Sequence, residues 1–490
     1  MTDTPKILSI DLGTSRVKVG VLDPSLTLLA SASATYATLS DEVGMAEQRT
    51  DDWMSGIRHC VREAVAASGA GAVDAVVLTA QVPTLVAVSS NHVVIGNAIT
   101  WHDSRADTLV DDLFDDDEKR RIYEVAGTPI DGRYLIPMHL RRAPEPGYRP
   151  AKLLSAKDFI YFALTGLLVT DPSTASGFGN YSLEDRGWSA ELNQLWNIDR
   201  DLLPDVVDPT FAAALTPAGA QVLAGVGAGT PVFVGAADSV CAHHFITTRF
   251  PDSISVIDGS STVIMATLDS KSDRPGEILL TPLADPSRLG GEMDLLATGS
   301  SIGWLAALLG VTPNDLEDLA LGHPSPATND VLFFPYLAGG EQGALWRTDL
   351  SGAIKEITLS TTRADLALAL FEGIAFETFR CLKLLLETKP RQNVVSLAGS
   401  QSRHLGASLV GALMGQRVIA VGQQSPSILG AALIALDGLK VAPTGLGDTS
   451  QELGDEVPPL ANDYVTVLVH KAKKYFAISP ATANTTGRTE

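Results

Sequence analysis

The sequence predicts an α/β protein of two domains built on one plan, and three observations carry that prediction. The chain has 490 residues, too many for one compact core. Apolar strands alternate with helical patterns in both halves, which is the signature of an α/β fold. And a short unit returns. ILSIDLGTSRVKVGVLD at 7–23 is echoed by SISVIDGSSTVIMATLD at 253–269. Each copy reads as an apolar strand, then Asp, Gly and hydroxyls, then a second apolar strand ending in Leu-Asp. Strand length and turn chemistry match together half a chain apart, so duplication is the better reading than two unrelated hairpins. The boundary is expected near 240–252, where TRFPD reads as a connector.

The elements follow in order. Ile7 to Ile10 is an apolar strand, and Val17, Val19 and Val21 alternate with Arg16, Lys18 and Gly20, the period of a strand with one buried face. RTDDWMSGIRHCVREAVAAS reads as a helix with Thr50 as N-cap and acids in its first turn. AVVLTAQ and NAITWHD read as strands ending in polar residues, and DDLFDDDEKRRIYEVAG as one solvated surface helix. SAKDFIYFALTG is a short amphipathic helix closed by Gly166, and TPVFVGAADSV a buried strand ending at Asp238. In the second half, LLATGSSIGWLAALLG reads as strand, turn and helix. STTRADLALALFEGIAFETFRCLKLLLE is a long helix capped by Thr361 or Thr362, with Phe371, Ile374, Ala375 and Phe379 on one face. NVVSLAGSQSRHLGASLVGALMG repeats the strand, small-residue turn and helix pattern.

Composition excludes some functions. A formal net charge of -21 argues against nucleic acid and anionic membrane surfaces, which reward clustered Lys and Arg. The 45% hydrophobic and 19% charged residues describe a well-packed globular chain. Three scattered cysteines, Cys60, Cys241 and Cys381, fit a reducing cytoplasm. The opening MTDTPK leads into no apolar signal region, and no run of eighteen apolar residues suggests a membrane span. The closing SPATANTTGRTE is expected to fray.

A turn of Gly and Ser/Thr aims backbone N–H groups and hydroxyls at one anion. Two such turns suit a polyphosphate. Asp11 beside the first turn suits a hydrated Mg²⁺, which takes one or two carboxylates with phosphate oxygens and water. Lys18 and Arg16 share a side of the strand, and either balances phosphate charge. One turn alone remains readable as a plain hairpin. No Walker A pattern occurs. Phosphoryl transfer also needs a carboxylate to take the proton of the attacking hydroxyl. Asp238, at the end of a strand after two alanines, suits that role, and a helix N-cap is its equal alternative. AITWHDSRAD places Trp101, His102, Asp103 and Arg105 at a strand end, the aromatic wall and carboxylate a sugar site wants; His102 itself reads as a surface residue. His243 and His244 have no further ligand at metal spacing.

These blocks, in this order from Ile7 to about residue 440, resemble the FGGY carbohydrate kinases of the sugar kinase, Hsp70 and actin superfamily. IDLGTSRVKVGVLD is similar to the family's first phosphate hairpin and IDGSST to its second. VGAADS resembles the strand of the catalytic aspartate, SAKDFIYFALTG the Lys-Asp…Leu-Thr-Gly helix, and LAGSQSRHLGASLVGALMG the adenosine turn and helix. The resemblance implies two duplicated actin-like (ribonuclease H-like) domains with an ATP and sugar cleft between them. Residues 1–247 would carry the sugar side and first phosphate hairpin, 248–476 the nucleotide side, and 477–490 a flexible tail. It implies an ATP- and Mg²⁺-dependent kinase acting on a primary hydroxyl of a small sugar, a ketopentose such as xylulose first. Asp238 would be the general base, and Asp11 and Asp238 would stand by the metal. Gln81, Trp101, Asp103, Arg105 and Ser239 would line the sugar side. Gly13, Thr14, Ser15, Lys18, Gly259, Ser260, Ser261, Gly303, Gly399, Ser400 and Arg403 would hold ATP. The implied partners are the sugar and ATP, with a homodimer left open.

The chain departs from the family at the sugar side, where Val82-Pro83 replaces Met-His and Asp238-Ser239 replaces Asp-Asn, and at the adenosine turn, where Ala398-Gly399-Ser400 replaces three glycines. A gluconate or polyol kinase is therefore the alternative. A non-catalytic sugar and ATP binder is the rival from another class. A serine hydrolase using Ser301 in GSSIG, with Asp330 or Asp349 and His404 or His470, is the remote one.

Overall fold

The computed structural model describes residues 4–69, 72–268, 278–347, 349–388, 395–398, 404–415, 418–421, 425–444, 454–456 and 460–479. It divides into two compact units. The first comprises Met1–Arg249, Leu279–Gly290 and Pro426–Asp448; the second comprises Phe250–Ile278, Gly291–Ser425 and Thr449–Glu490.

The first unit is built on a sheet in the order Ala212–Ala214, Pro231–Ala237, Ala75–Ala80, Ile7–Leu12, Arg16–Leu22, Leu28–Thr35. Ile7–Leu12 forms an antiparallel hairpin with Arg16–Leu22 and pairs in parallel with Ala75–Ala80, which in turn pairs in parallel with Pro231–Ala237. The second unit repeats this plan. Ile254–Asp258 forms an antiparallel hairpin with Thr262–Leu268 and pairs in parallel with Val395–Ala398, followed in parallel by Val418–Val421. Each series ends in an antiparallel strand, Ala212–Ala214 in one unit and Gly454–Glu456 in the other. The duplicated α/β architecture expected from the repeat is present.

The helices confirm some sequence signals and correct others. Ser155 and Asp158 form a capping box on Ala156–Thr165, which Gly166 closes in the left-handed conformation. Thr362 caps Arg363–Thr388: its Oγ1 accepts the Asp365 N–H at 3.2 Å while Asp365 Oδ2 accepts the Thr362 N–H at 2.7 Å. Thr50 is not an N-cap. Arg49 takes that place without a side-chain bond, and Thr50 is the first helical residue of Thr50–Ala67. The acidic stretch after Arg105 is two helices, Asp107–Leu113 and Asp116–Ala126. Asp115 accepts the N–H groups of Asp117 and Glu118, and a cap needs extended backbone, so the first helix ends at Phe114. The second is not wholly solvated, since Ile122, Tyr123 and Ala126 are buried.

The one buried face expected of Arg16–Leu22 is seen from Arg16 to Val19, and from Gly20 onward the strand is buried throughout. Ile7–Leu12 is buried throughout because the strand is central and covered on both faces. Helix Pro426–Gly438 comes back over it: a Cβ on Gly20 would meet Ile428 at 3.0 Å. The C-terminal helix Asn462–Ile478 packs in the second unit through buried polar pairs. Lys471 Nζ contacts Glu372 at 2.5 Å, and the Tyr475 hydroxyl donates to Glu377 at 2.8 Å. Ser479 beyond it is buried.

Candidate functional site

In the first unit the hairpin turn Gly13–Ser15 is held by side chains remote in sequence. The Tyr36 hydroxyl donates to the Gly13 carbonyl. Gln48 Nε2 donates to the Thr14 carbonyl at 2.7 Å, and Trp101 Nε1 to Thr14 Oγ1 at 3.2 Å. Gln48 is itself fixed, since its Oε1 accepts from Trp53 at 3.1 Å and from Gln81 at 3.1 Å. Glu47–Gln48 and Ala98–Thr100 are paired strands of one small sheet, which is how Gln48 and Trp101 arrive together. With its carbonyls engaged in this way, the turn holds a fixed shape.

Asp11 lies two residues before Gly13 and opposite Lys18 in the hairpin register. It is 3% exposed. Burial raises its carboxyl above the usual range, with Lys18 and the Ser427 hydroxyl pulling the other way. Ser427 donates to Oδ2 at 2.8 Å, while the buried Oδ1 has no hydrogen-bond partner. A buried carboxylate oxygen left open beside a glycine-hydroxyl turn fits the carboxylate that Mg²⁺ takes. Among the described residues no cluster of three or more His, Cys, Asp or Glu forms a closed metal cage. Mg²⁺ does not require one, because water and phosphate complete its shell.

Asp238 is the first residue of helix Asp238–Arg249, directly after strand Pro231–Ala237. Its Oδ1 accepts the Ser239 N–H at 2.9 Å. It stands at a strand end and is the first residue of a helix rather than the cap before one. The Tyr36 phenol is pushed far above its ordinary value by burial first, then by the charges of Asp11 and Asp238. In the sheet, Asp11 pairs with Thr79 and Thr79 with Ala236, so the strand ends that carry Asp11 and Asp238 lie on the two sides of one strand.

The sugar-side candidates divide. Gln81 is 1% exposed, with Oε1 unpartnered. Trp101 is half-buried and stacked on His102, ring centroids 3.5 Å apart. His102 is half-buried under the Trp101 ring rather than an open surface residue, and burial, then Arg133, pushes its imidazole down to about 4. Asp103 and Arg105 are spent largely on one another. Arg105 Nη2 lies 2.6 Å from Asp103 and 2.6 Å from Glu47, and Asp103 also accepts the Ala46 N–H at 2.9 Å. Ser239 is half-buried beside Asp238.

In the second unit the turn Gly259–Ser261 is pinned differently. The Ser260 carbonyl accepts the N–H of Thr298 at 3.2 Å, and the N–H and Oγ of Ser300 at 3.0 Å each. Gly299 sits so close that a Cβ there would be 2.1 Å from the Gly259 carbonyl oxygen. Beside the turn is a pocket open to solvent, walled by Val256, Ile302, Phe371 and Val410 and edged by Asp258, Gly259 and Glu317. Gly303 lies in the same helix, Gly299–Leu309. Gly399, Ser400 and Arg403 lie outside the described residues. Ser301 is no exposed nucleophile: it is fully buried within that helix and donates to Ala297 O at 2.7 Å.

Family models for the N-terminal and C-terminal domains of the FGGY carbohydrate kinases match residues 6–244 and 254–437. The chain belongs to the FGGY family of carbohydrate kinases. Members of this family are phosphotransferases acting on sugar hydroxyls. A gluconokinase of Bacillus subtilis is 22% identical over 98% of this chain and 95% of its own length. A xylulose kinase of the same organism is 25% identical over 88% of each. The fold matches a xylulose kinase of Lactobacillus acidophilus with a TM-score of 0.85 at 23% identity, covering 98% of this chain and 99% of that one.

Several residues of this FGGY chain's site carried no sequence signal. Tyr36 and Gln48 look like ordinary strand residues, and Ser427 reaches Asp11 from 416 positions downstream. Asp171 and Ser173, buried behind Asp238, are the exception. DPS at 171–173 is an Asp N-cap followed by Pro at the first helical position, a readable helix start.

Proposed function

We propose that the chain transfers the γ-phosphoryl group of ATP to a primary hydroxyl of a small sugar, with a ketopentose such as xylulose as the leading acceptor. The observation that carries this reading is the placing of Asp11, opposite Lys18 beside a rigid glycine-hydroxyl turn, and of Asp238 at strand ends on the two sides of one strand. Asp238 takes the proton of the acceptor hydroxyl as its oxygen bonds to the γ-phosphorus. The bond from that phosphorus to the β,γ-bridging oxygen breaks, and ADP leaves. Thr14, Ser15 and Lys18 hold phosphate oxygens, as do Gly259, Ser260 and Ser261. Asp11, with Asp238, would hold Mg²⁺, which supplies charge neutralisation on the phosphates. The pocket beside Gly259 suits a nucleoside, being apolar with a few polar groups at its edge. Gln81 and Trp101 face the sugar, and the Asp103–Arg105 pair shapes that wall.

Three buried free cysteines support a reducing cytoplasm. Among the described residues no helix is long and apolar enough to cross a membrane. A gluconate kinase is the second reading, supported by the gluconokinase relative. The deciding experiment is a coupled ADP-release screen over ketopentoses, polyols and sugar acids, run beside Asp238→Asn. The variant is expected still to bind ATP and to lose roughly a thousandfold or more in turnover. Turnover retained by Asp238→Asn removes it as the base. An absence of sugar-dependent ADP release across the screen removes the kinase reading in favour of a binder.

A further inference from the structure

We propose that Ser173 is a positioning residue for Asp238, aimed by a buried Lys157–Asp171 ion pair. The inference rests on reading Asp238 as the base. Strand Pro231–Ala237 does not run regularly to its end. Its register with Ala75–Ala80 slips between Phe233 and Ala236. At the slip Gly235 takes φ +69°, and a Cβ there would lie 1.8 Å from the Leu78 carbonyl oxygen. The Ala237 N–H, one residue before Asp238, donates to Ser173 Oγ at 2.9 Å. The peptide plane leading into Asp238 is therefore set by a side chain.

Ser173 is aimed in turn. Its hydroxyl donates to Asp171 Oδ2, which also accepts the Ser173 N–H at 2.9 Å. A hydroxyl has one proton and two lone pairs. Committing the proton to Asp171 leaves a lone pair for Ala237. Asp171 Oδ1 lies 2.8 Å from Lys157 Nζ, and Asp158 Oδ1 lies 3.9 Å from the same ammonium. Lys157 is 1% exposed, Asp158 and Asp171 are 0%, and Ser173 is 2%. Burying this many charges is a poor way to gain stability, since apolar groups of equal volume serve as well or better. A fixed acceptor for one hydroxyl is what the ion pair provides and an apolar pair does not.

The test separates aim from support. Ser173→Ala is expected to lower kcat roughly tenfold or more, since small misplacements of a reacting group are costly. KM for ATP and for sugar is expected to stay within about threefold, with one ligand bound per chain by calorimetry. Two double variants then differ only in the acceptor. K157M with D171N keeps an oxygen for Ser173; K157M with D171L does not. Both remove the charges. The first is expected to retain a clearly higher kcat than the second, and the second to match Ser173→Ala, at similar melting temperatures. A parent-like kcat for Ser173→Ala overturns the proposal. So do a Ser173→Ala chain that fails to fold, and a kcat that merely follows melting temperature across the two doubles. Asp238→Asn is measured alongside. An active Asp238→Asn defeats the base reading; an inactive one with a parent-like Ser173→Ala defeats the positioning role alone.

Discussion

Adding a single methyl group at Gly430 should disable the site from outside it. Gly430 lies in helix Pro426–Gly438, where the backbone of helix Asp238–Arg249 packs directly on it. A Cβ at this position would lie 1.7 Å from the Cys241 carbonyl oxygen and 2.5 Å from its carbon. Such contacts do not fall below 3.0 Å, so the helices must separate by roughly 1.3 Å. The obstacle is backbone, so no rotamer change relieves it. Overpacking of this kind costs about 1–3 kcal/mol, more where only backbone can yield. In a unit of this size that lowers Tm by roughly 2–4 °C per kcal/mol. The effect on turnover should be larger than the effect on folding. Asp238 starts one of the displaced helices, and Ser427, bonded to Asp11, is the second residue of the other. A shift of about 1 Å in reacting groups costs on the order of a hundredfold in rate. The assay is a thermal melt paired with steady-state ADP release at saturating sugar and ATP. Gly430→Ala with parent Tm and kcat within threefold of the parent would refute the claim that this contact sets the position of Asp238.

Other expectations follow from single contacts. Ser427→Ala removes the 2.8 Å bond to Asp11, worth about 1.5–3 kcal/mol when it is made to a charged group, and should raise the Mg²⁺ concentration for half-maximal activity several-fold. An unchanged Mg²⁺ titration, or unchanged Mn²⁺ binding by electron paramagnetic resonance, contradicts it. Tyr36→Phe releases the Gly13 carbonyl and should raise KM for ATP about fivefold at unchanged Tm; an unchanged KM shows that the turn holds its shape alone. Asp258 gives a pH dependence. Burial, partly offset by Thr262, pushes its carboxyl up to about 6. Between about 4 and 6 the folded chain keeps a proton that the unfolded chain has released, so stability falls as pH rises through that window. Asp258→Asn should therefore melt higher than the parent at pH 8, by at most about 3 kcal/mol and less for a half-buried group, with the gap closing near pH 4. A gap independent of pH refutes the assignment.

What the sequence showed of this molecule was local. The alternating apolar residues of the first hairpin, the Gly166 stop of the Ala156–Thr165 helix, and the strand that delivers Asp238 are all encoded within about a dozen neighbouring residues. The supports are not. Tyr36, Gln48 and Ser427 reach the turn and Asp11 across sheet edges and chain crossings, and nothing in their immediate sequence announces that. Arg105 and Asp103 were legible as polar residues at a strand end, but their mutual pairing depends on Glu47, 58 residues from Arg105. Lys157 was hidden for a different reason. A helix with Lys and Asp in its first turn reads as amphipathic, and only the fold around it turns that charge inward.

The hairpin repeat shows the same limit at a finer scale. Matched by letters, Asp11 and Asp258 are the same residue in two copies. Matched by register they are not. The last pair before the first turn is Leu12 with Val17, and the last pair before the second is Asp258 with Thr262. Asp258 thus occupies the place of Leu12, one step along the strand from the counterpart of Asp11. Side chains alternate faces along a strand, so a shift of one residue sends the carboxylate to the other side of the sheet. That accounts for their different surroundings. Asp11 faces Lys18 and Ser427 with an oxygen left open, while Asp258 takes a bond from Thr262 at 2.8 Å and edges the apolar pocket. Duplication supplied two phosphate-type turns on one plan. Under the proposed function, the one-residue offset leaves only the first copy's carboxylate for a metal-phosphate complex, and it predicts that Asp11→Asn abolishes Mg²⁺-dependent turnover while Asp258→Asn leaves the Mg²⁺ titration unchanged.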